Sequence, residues 1–174
     1  MGPLRQLLAI DERQALEFFF QRLKDISGPA IDTRELLYNA SVLAHYALVS
    51  TQTETELAAP ATLEAVFDHF VIDTALAGDG LMMETAGAQC LVLAGFFEDQ
   101  MRRRHSIRWY GQLGATFFSR AAALESVSHK ARLLHAIAMR FEVWRQRYAR
   151  LGRELRDQPY LLASDKPAPF HSDR

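Results

Sequence analysis

The sequence lacks the features expected of a disulfide-rich, secreted or membrane-spanning protein. Its 174 residues include one cysteine, Cys90, so no disulfide can form within the chain. The longest strongly apolar segment, 86–97, is well short of the roughly twenty residues that cross a bilayer. The apolar stretch within residues 1–10 is too short for a signal peptide, and charged residues follow it at once. We therefore expect a cytoplasmic protein that does not enter the membrane.

The chain also has little glycine and proline. Nine glycines and six prolines accompany 49% hydrophobic and 24% charged residues, which excludes collagen-like and disordered compositions. Alanine and leucine, both good helix formers, are abundant. A chain of this length ordinarily builds one hydrophobic core, so a single domain is expected.

Residue patterns that carry known chemistry are missing as well. The Glu-x-x-His pair of di-iron bundles is absent, since Glu64 and Asp68 share a helix face from which His69 is rotated away by about 100°. The segment 78–80 lacks the lysine and hydroxyl residue of a phosphate loop, and no serine lies in a Gly-x-Ser-x-Gly turn. Cys90 lies in an apolar run and is expected to be buried and inert. We predict no catalytic residue, metal or cofactor, although an enzyme remains possible.

Helical periodicity is what the sequence does have. Apolar residues recur every three or four positions in six segments, and capping residues such as Asp11, Asp32 and Ser106 precede three of them. No segment shows the alternation of a strand. The predicted helices cover approximately residues 12–28, 32–50, 60–77 and 81–103, a fifth segment after Ser106, and a sixth from 128 to 156.

The fourth predicted helix is apolar nearly all round, which is typical of a helix at the centre of a bundle. Gly87, Cys90 and Ala94 give it a face of small side chains. Gly111 and Gly114 give the fifth helix a similar face at some cost in helix propensity. We therefore expect these two helices to pack closely against each other.

The last predicted helix carries a heptad pattern of large apolar residues. Such a seam can face the core of an antiparallel bundle or a second chain in a coiled coil, and the bundle is favoured. The pattern stops after Asp157. The predicted fold is thus all-α, a single-domain bundle of about six helices over residues 1–157 with a long heptad-patterned C-terminal helix, followed by a poorly ordered tail over 158–174. The seam consists of Leu134, Ile137, Phe141, Trp144, Tyr148, Leu151 and Leu155.

Charge is strongly separated along the chain, although the formal net charge is only −1. Residues 1–99 contain five basic and fifteen acidic side chains, whereas residues 101–156 contain thirteen basic and three acidic ones. Nearly all of the basic residues in the second part are arginines, which suit bidentate contacts with carboxylates and phosphates. The second part therefore provides a candidate partner-binding surface formed by Arg102, Arg103, Arg104, Arg108, Arg145, Arg147 and Arg150.

Three explanations of this separation remain open. The acidic and basic parts can pair within one chain or between subunits, which is the favoured explanation. The basic part can instead meet an acidic protein partner. Nucleic acid is possible but not favoured, because the isoelectric point of about 6.6 is low and no helix-turn-helix or zinc-finger spacing is present.

These observations predict a non-catalytic interaction or regulatory domain that self-associates or binds a protein partner through its basic C-terminal helices. The first alternative is a ligand- or cofactor-binding bundle, possibly an enzyme, with a pocket between the fourth and fifth helices near Cys90, Trp109 and Tyr110. The second alternative is nucleic-acid binding through the arginine-rich face, with affinity that falls steeply as salt rises.

Overall fold

A computed structural model describes residues 12–52, 78–103 and 105–157 of the chain. All regular elements in these ranges are helices, which confirms the predicted all-α fold. The predicted third helix over 60–77, Arg104 and the predicted tail over 158–174 lie outside the described residues. The helices are α1 (Glu12–Ser27), α2 (Thr33–Gln52), α3 (Gly80–Leu91), α4 (Glu98–Met101), α5 (Ile107–Leu124), α6 (Ser128–Met139) and α7 (Phe141–Asp157), with a π-helical turn at Val92–Phe96 between α3 and α4.

Two side chains that the sequence predicts as helix caps, those of Asp32 and Ser106, cap α2 and α5 in the structure. Asp32 Oδ1 accepts hydrogen bonds from the backbone N–H groups of Arg34 (2.8 Å) and Glu35 (3.1 Å) ahead of α2. Ser106 Oγ accepts one from Trp109 N at 3.3 Å and starts α5. These oxygens satisfy backbone donors that have no partner inside the helix.

The helix α3 and the π turn form the centre of the bundle, as the apolar composition predicted. A methyl group added at Gly87 would lie 2.8 Å from Phe118 Cδ2, and one added at Gly114 would lie 2.9 Å from Cys90 Cβ. Both distances are shorter than a Cβ contact allows. The glycines therefore permit the close approach of α3 and α5, which confirms that these two helices face each other.

The π turn interrupts what the sequence predicts as one continuous helix over 81–103. It packs against α7 almost without intervening side chains, since a methyl group at Gly152 would lie 2.3 Å from the carbonyl oxygen of Phe96. A methyl group at Gly95 would lie 2.7 Å from Tyr148 Cβ. Two backbone carbonyls of the turn, those of Ala94 and Phe96, accept hydrogen bonds from arginines.

The last predicted helix, 128–156, is two helices, because the chain bends at Arg140, which has φ −105° and ψ 20°. The bend lets α6 pack on α5 while α7 packs on the π turn. The Arg140 side chain reaches across to Glu35 on α2. Every residue of the heptad seam is nonetheless buried within this chain, which supports the bundle interpretation: Leu134, Ile137, Phe141, Trp144, Tyr148, Leu151 and Leu155.

Candidate functional site

A cleft of about 590 Å³ opens between α4, the first half of α5 and the junction of α6 with α7. Its size falls in the range of small-molecule sites in proteins. Gly111 and Gln112 of α5 lie along it. Apolar side chains supply much of the remaining wall, namely Ile107, Ala115, Ala138, Met139 and Phe141.

A buried carboxylate, Glu98, lies at one end of the cleft among three arginines. Its Oε1 is 3.3 Å from Arg145 Nη1, and its Oε2 is 3.2 Å from Arg153 Nη1. Arg102, one turn later on the chain, also donates to Oε1. A buried charge is tolerated when it is paired and hydrogen-bonded, and Glu98 meets both conditions.

Arg145 connects this carboxylate to the cleft wall. It binds Glu142 in a bidentate manner, with Nε 2.8 Å from Oε2 and Nη2 2.7 Å from Oε1. Its Nη1 also donates to the carbonyl oxygen of Ala94 in the π turn at 3.0 Å. One guanidinium therefore holds α4, the π turn and α7 in a fixed arrangement.

The pKa values of the two cleft carboxyls keep both ionised at neutral pH. Burial alone would raise the pKa of Glu98, but the hydrogen bond from Arg102 and the charge of Arg145 outweigh it and lower the pKa. The hydrogen bond from Arg145 lowers the pKa of Glu142 in the same direction. Both groups therefore accept hydrogen bonds from the arginines in their charged form.

The cleft also contains an arginine that forms no ion pair with any of the described residues. Arg108 is exposed, lines the cleft, and has no ion pair with any residue in the described part of the chain. Three arginines and two glutamates line the cleft. Both carboxylates already form ion pairs with arginines. The charged side chains that line the cleft therefore carry a formal net charge of +1.

Of the seven arginines predicted as a partner-binding surface, the six that the structure describes have different surroundings. Arg102 and Arg108 line the cleft, and Arg103 is exposed beside it. Arg145 is buried and lines the cleft as well. Arg147 stacks at 4.6 Å on the ring of Trp144, Arg150 pairs with Glu154 at 3.0 Å, and Arg104 is outside the described residues.

Pairing between the acidic and basic parts of the chain is visible in the fold. Lys130 Nζ lies 3.0 Å from Glu84, and Arg156 Nη2 lies 2.9 Å from Asp99. Together with the Glu98 cluster and the pairing of Arg140 with Glu35, these contacts cross the boundary between the two parts. Intramolecular complementarity thus accounts for a substantial share of the separated charge.

The three residues predicted to line a pocket between α3 and α5 have different surroundings. Cys90 is packed against Gly114, Tyr110 is buried, and Trp109 is 41% exposed. None of the three lines the cleft, which lies on another side of α5. Burial raises the pKa of Cys90 to about 12, in agreement with the prediction of an inert thiol.

Sequence reasoning missed a buried polar network between α2 and α7. Glu35 accepts hydrogen bonds from Arg140 Nε at 2.9 Å and from Trp144 Nε1 at 3.4 Å. The amide of Asn39 donates to the Glu35 carbonyl oxygen at 2.8 Å, and Tyr148 Oη donates to Asn39 Oδ1 at 2.8 Å. The available signal was Glu35 and Asn39 themselves, two polar residues four apart on the apolar face of α2.

Within the described ranges, no group of three or more histidine, cysteine, aspartate or glutamate side chains could hold a metal ion. None of the helices described is both long and apolar enough to cross a membrane. In comparisons with known proteins, no family model, curated protein or solved structure matches this chain.

Proposed function

We propose that this chain is a non-catalytic binding domain, of a regulatory or interaction type, whose recognition site is the cleft. The observation that carries the proposal is a helix-interior glycine at the cleft, Gly111, that the packing of the chain does not require. A methyl group there would lie 3.6 Å from Glu142 Oε2 and 3.9 Å from Arg145 Cδ, which are ordinary contacts. The missing side chain leaves room inside the cleft.

A screen of small organic fragments against the isotope-labelled protein tests this proposal. Shifts of backbone amide signals report where each fragment binds. We expect the hits to converge on 107–115 and 138–142, and a Gly111→Leu variant to lose them because its side chain fills the cleft. Hits scattered over the surface, or unchanged by Gly111→Leu, would overturn the proposal.

A second candidate function, self-association, is favoured by two exposed apolar side chains at the α6–α7 junction. Met139 is 72% exposed and Val143 is 44% exposed, four residues apart across the bend. Contiguous exposed apolar patches, unlike apolar residues scattered singly, mark protein–protein interaction sites. Sedimentation velocity of the wild type and of a Met139→Ser/Val143→Ser variant decides this, since self-association predicts a dimer that the variant loses. A wild type that stays monomeric at every concentration excludes it.

A further inference from the structure

Five buried glycines lie in the helical core, and four of them have an evident steric reason. A methyl group at any of these four would come within 3.0 Å of another side chain or carbonyl group. Gly111 is the exception, since its nearest such contact would be 3.6 Å. A glycine inside a helix weakens it relative to alanine, so its use at a roomy position needs another reason. The four with close neighbours are Gly87, Gly95, Gly114 and Gly152.

The position of Gly111 relative to Arg108 supplies that reason. The two residues are three apart on α5, so they share a face of the helix, and both line the cleft. Arg108 provides a cation without an ion pair among the described residues, and Gly111 provides space beside it. Ala115, one turn further along the same face, continues the apolar wall.

The charged side chains around this space determine whether it suits an anionic or a cationic ligand. Glu98 and Glu142 are engaged by Arg102, Arg145 and Arg153, so they offer little to a cationic ligand. An anionic group near Arg108 would instead meet an unpaired guanidinium, which can bind a carboxylate through two parallel hydrogen bonds.

We propose that the cleft binds a small amphipathic organic anion, with its anionic head on Arg108 and a short apolar body over Gly111 and Ala115. This proposal rests on the proposed function of the cleft as a binding site and names the chemistry of its ligand. The volume of about 590 Å³ suits an occupant of that size.

Three eight-carbon probes that differ only in their head group test the proposal: octanoate, octanol and octylammonium. Each is titrated into the labelled protein while the amide signals of 107–115 and 138–142 are followed. We expect octanoate to bind about five- to tenfold more tightly than octanol, which corresponds to one charge-assisted contact in a partly exposed site. Octylammonium should bind most weakly.

Variants separate the head-group contact from the apolar contact. Arg108→Gln should lower the affinity for octanoate to that for octanol and leave octanol unchanged. The matched control is Arg132→Gln on α6, an exposed arginine outside the cleft, which should change neither. Gly111→Ala, whose methyl group fits the folded chain, should weaken all three probes, and the dispersion of its amide spectrum checks that it folds.

The outcomes distinguish this proposal from the proposed function. If octanol and octylammonium bind the cleft as tightly as octanoate, or if Arg108→Gln has no effect, the anion proposal is wrong although the cleft remains a binding site. If no probe shifts the cleft signals while the fragment screen finds hits there, the amphipathic ligand is wrong. If both experiments leave these signals unmoved, both proposals fail.

Discussion

Tyr148 shows how a single hydroxyl can matter in an otherwise apolar core. The side chain is fully buried on α7, and its hydroxyl donates to Asn39 Oδ1 at 2.8 Å. The substitution Tyr148→Phe keeps the ring and removes this donor, which leaves a buried amide oxygen short of a partner. We expect the free energy of unfolding to fall by about 1–3 kcal/mol, as measured by urea denaturation.

Tyr46 is the matched control for this substitution. It is partly buried on α2, and none of the described residues forms a hydrogen bond with its hydroxyl. Tyr46→Phe should therefore change the free energy of unfolding by less than about 0.5 kcal/mol. Equal losses for the two variants would show that the Asn39 contact contributes nothing specific.

Glu98 makes the stability of the fold depend on pH in a defined direction. Its pKa in the folded protein lies below the ordinary value of about 4.5, so its contribution is complete above that value and is lost as pH falls through the folded pKa. We expect Glu98→Gln to cost about 2–4 kcal/mol at neutral pH because Arg145 loses a buried partner. The difference from wild type should shrink below about pH 4.5.

Urea denaturation at a series of pH values measures this effect. Glu142 has a lowered pKa as well and acts in the same direction, so the comparison between wild type and variant, not the wild-type curve alone, isolates Glu98. Glu154→Gln, which removes an exposed pair with Arg150, should cost less than about 1 kcal/mol. A Glu98→Gln effect that does not change with pH would contradict the assigned role.

At the scale of elements, two glycines on α5 should respond to the same substitution with opposite signs. Gly111→Ala places a methyl group at ordinary contact distances from its neighbours and should stabilise the protein by about 0.5–1 kcal/mol, since alanine favours the helix. Gly114→Ala forces a methyl group to 2.3 Å from Phe141 Cζ and should destabilise it by about 1–3 kcal/mol.

Thermal unfolding of the two variants measures this contrast on one helix. Both substitutions gain the same helix propensity, so the difference between them reports packing alone. A loss of stability in Gly111→Ala would mean that the glycine is needed by the fold, and it would remove the main support for the cleft as a binding site.

An element could be predicted from the sequence when the residues that determine it lie close together in the chain. The starts of α2 and α5 follow from Asp32 and Ser106, whose side chains act within three residues. The bend at Arg140 could not be predicted, because its surroundings continue the heptad pattern and its partner Glu35 is 105 residues away. The π turn was missed for the same reason, since its packing partner Gly152 lies on another helix.

The candidate site was predictable only in part. Periodicity identified the helices that border the cleft, and the glycines of α5 indicated a close approach. The sequence did not separate Gly114, which contacts Phe141, from Gly111, which faces the cleft, because both lie in similar apolar surroundings. Nor did it show which arginines are internally paired, since their partners come from distant helices.

At the scale of the whole molecule, the separated charges connect the first half of the chain to the second. Glu35 on α2 pairs with Arg140, and Asp99 on α4 pairs with Arg156 on α7. The seam of α6 and α7 adds buried apolar contacts over the same boundary. With so many contacts distributed across both halves, we expect the described helices around α3 to unfold as one cooperative unit.

Cys90 provides a probe of that cooperativity. The thiol is buried between α3 and α5, and burial raises its pKa to about 12, so a thiol reagent can attack only after the bundle opens. When closing is fast relative to labelling, the labelling rate follows the free energy of opening. We expect that free energy to equal the one from urea denaturation, and Gly114→Ala to increase the labelling rate by the factor its destabilisation predicts, about tenfold for each 1.4 kcal/mol.

The comparison of Gly114→Ala with Tyr148→Phe extends this test to a distant part of the core. Gly114 contacts Cys90 directly, whereas Tyr148 lies on α7 and joins it to α2. If the molecule opens as one unit, each substitution accelerates labelling in proportion to its own effect on global stability. Labelling that responds to Gly114→Ala but not to Tyr148→Phe would show that α3 and α5 separate locally. In that case the contacts between the two halves would not couple the separation of α3 and α5 to the opening of α7.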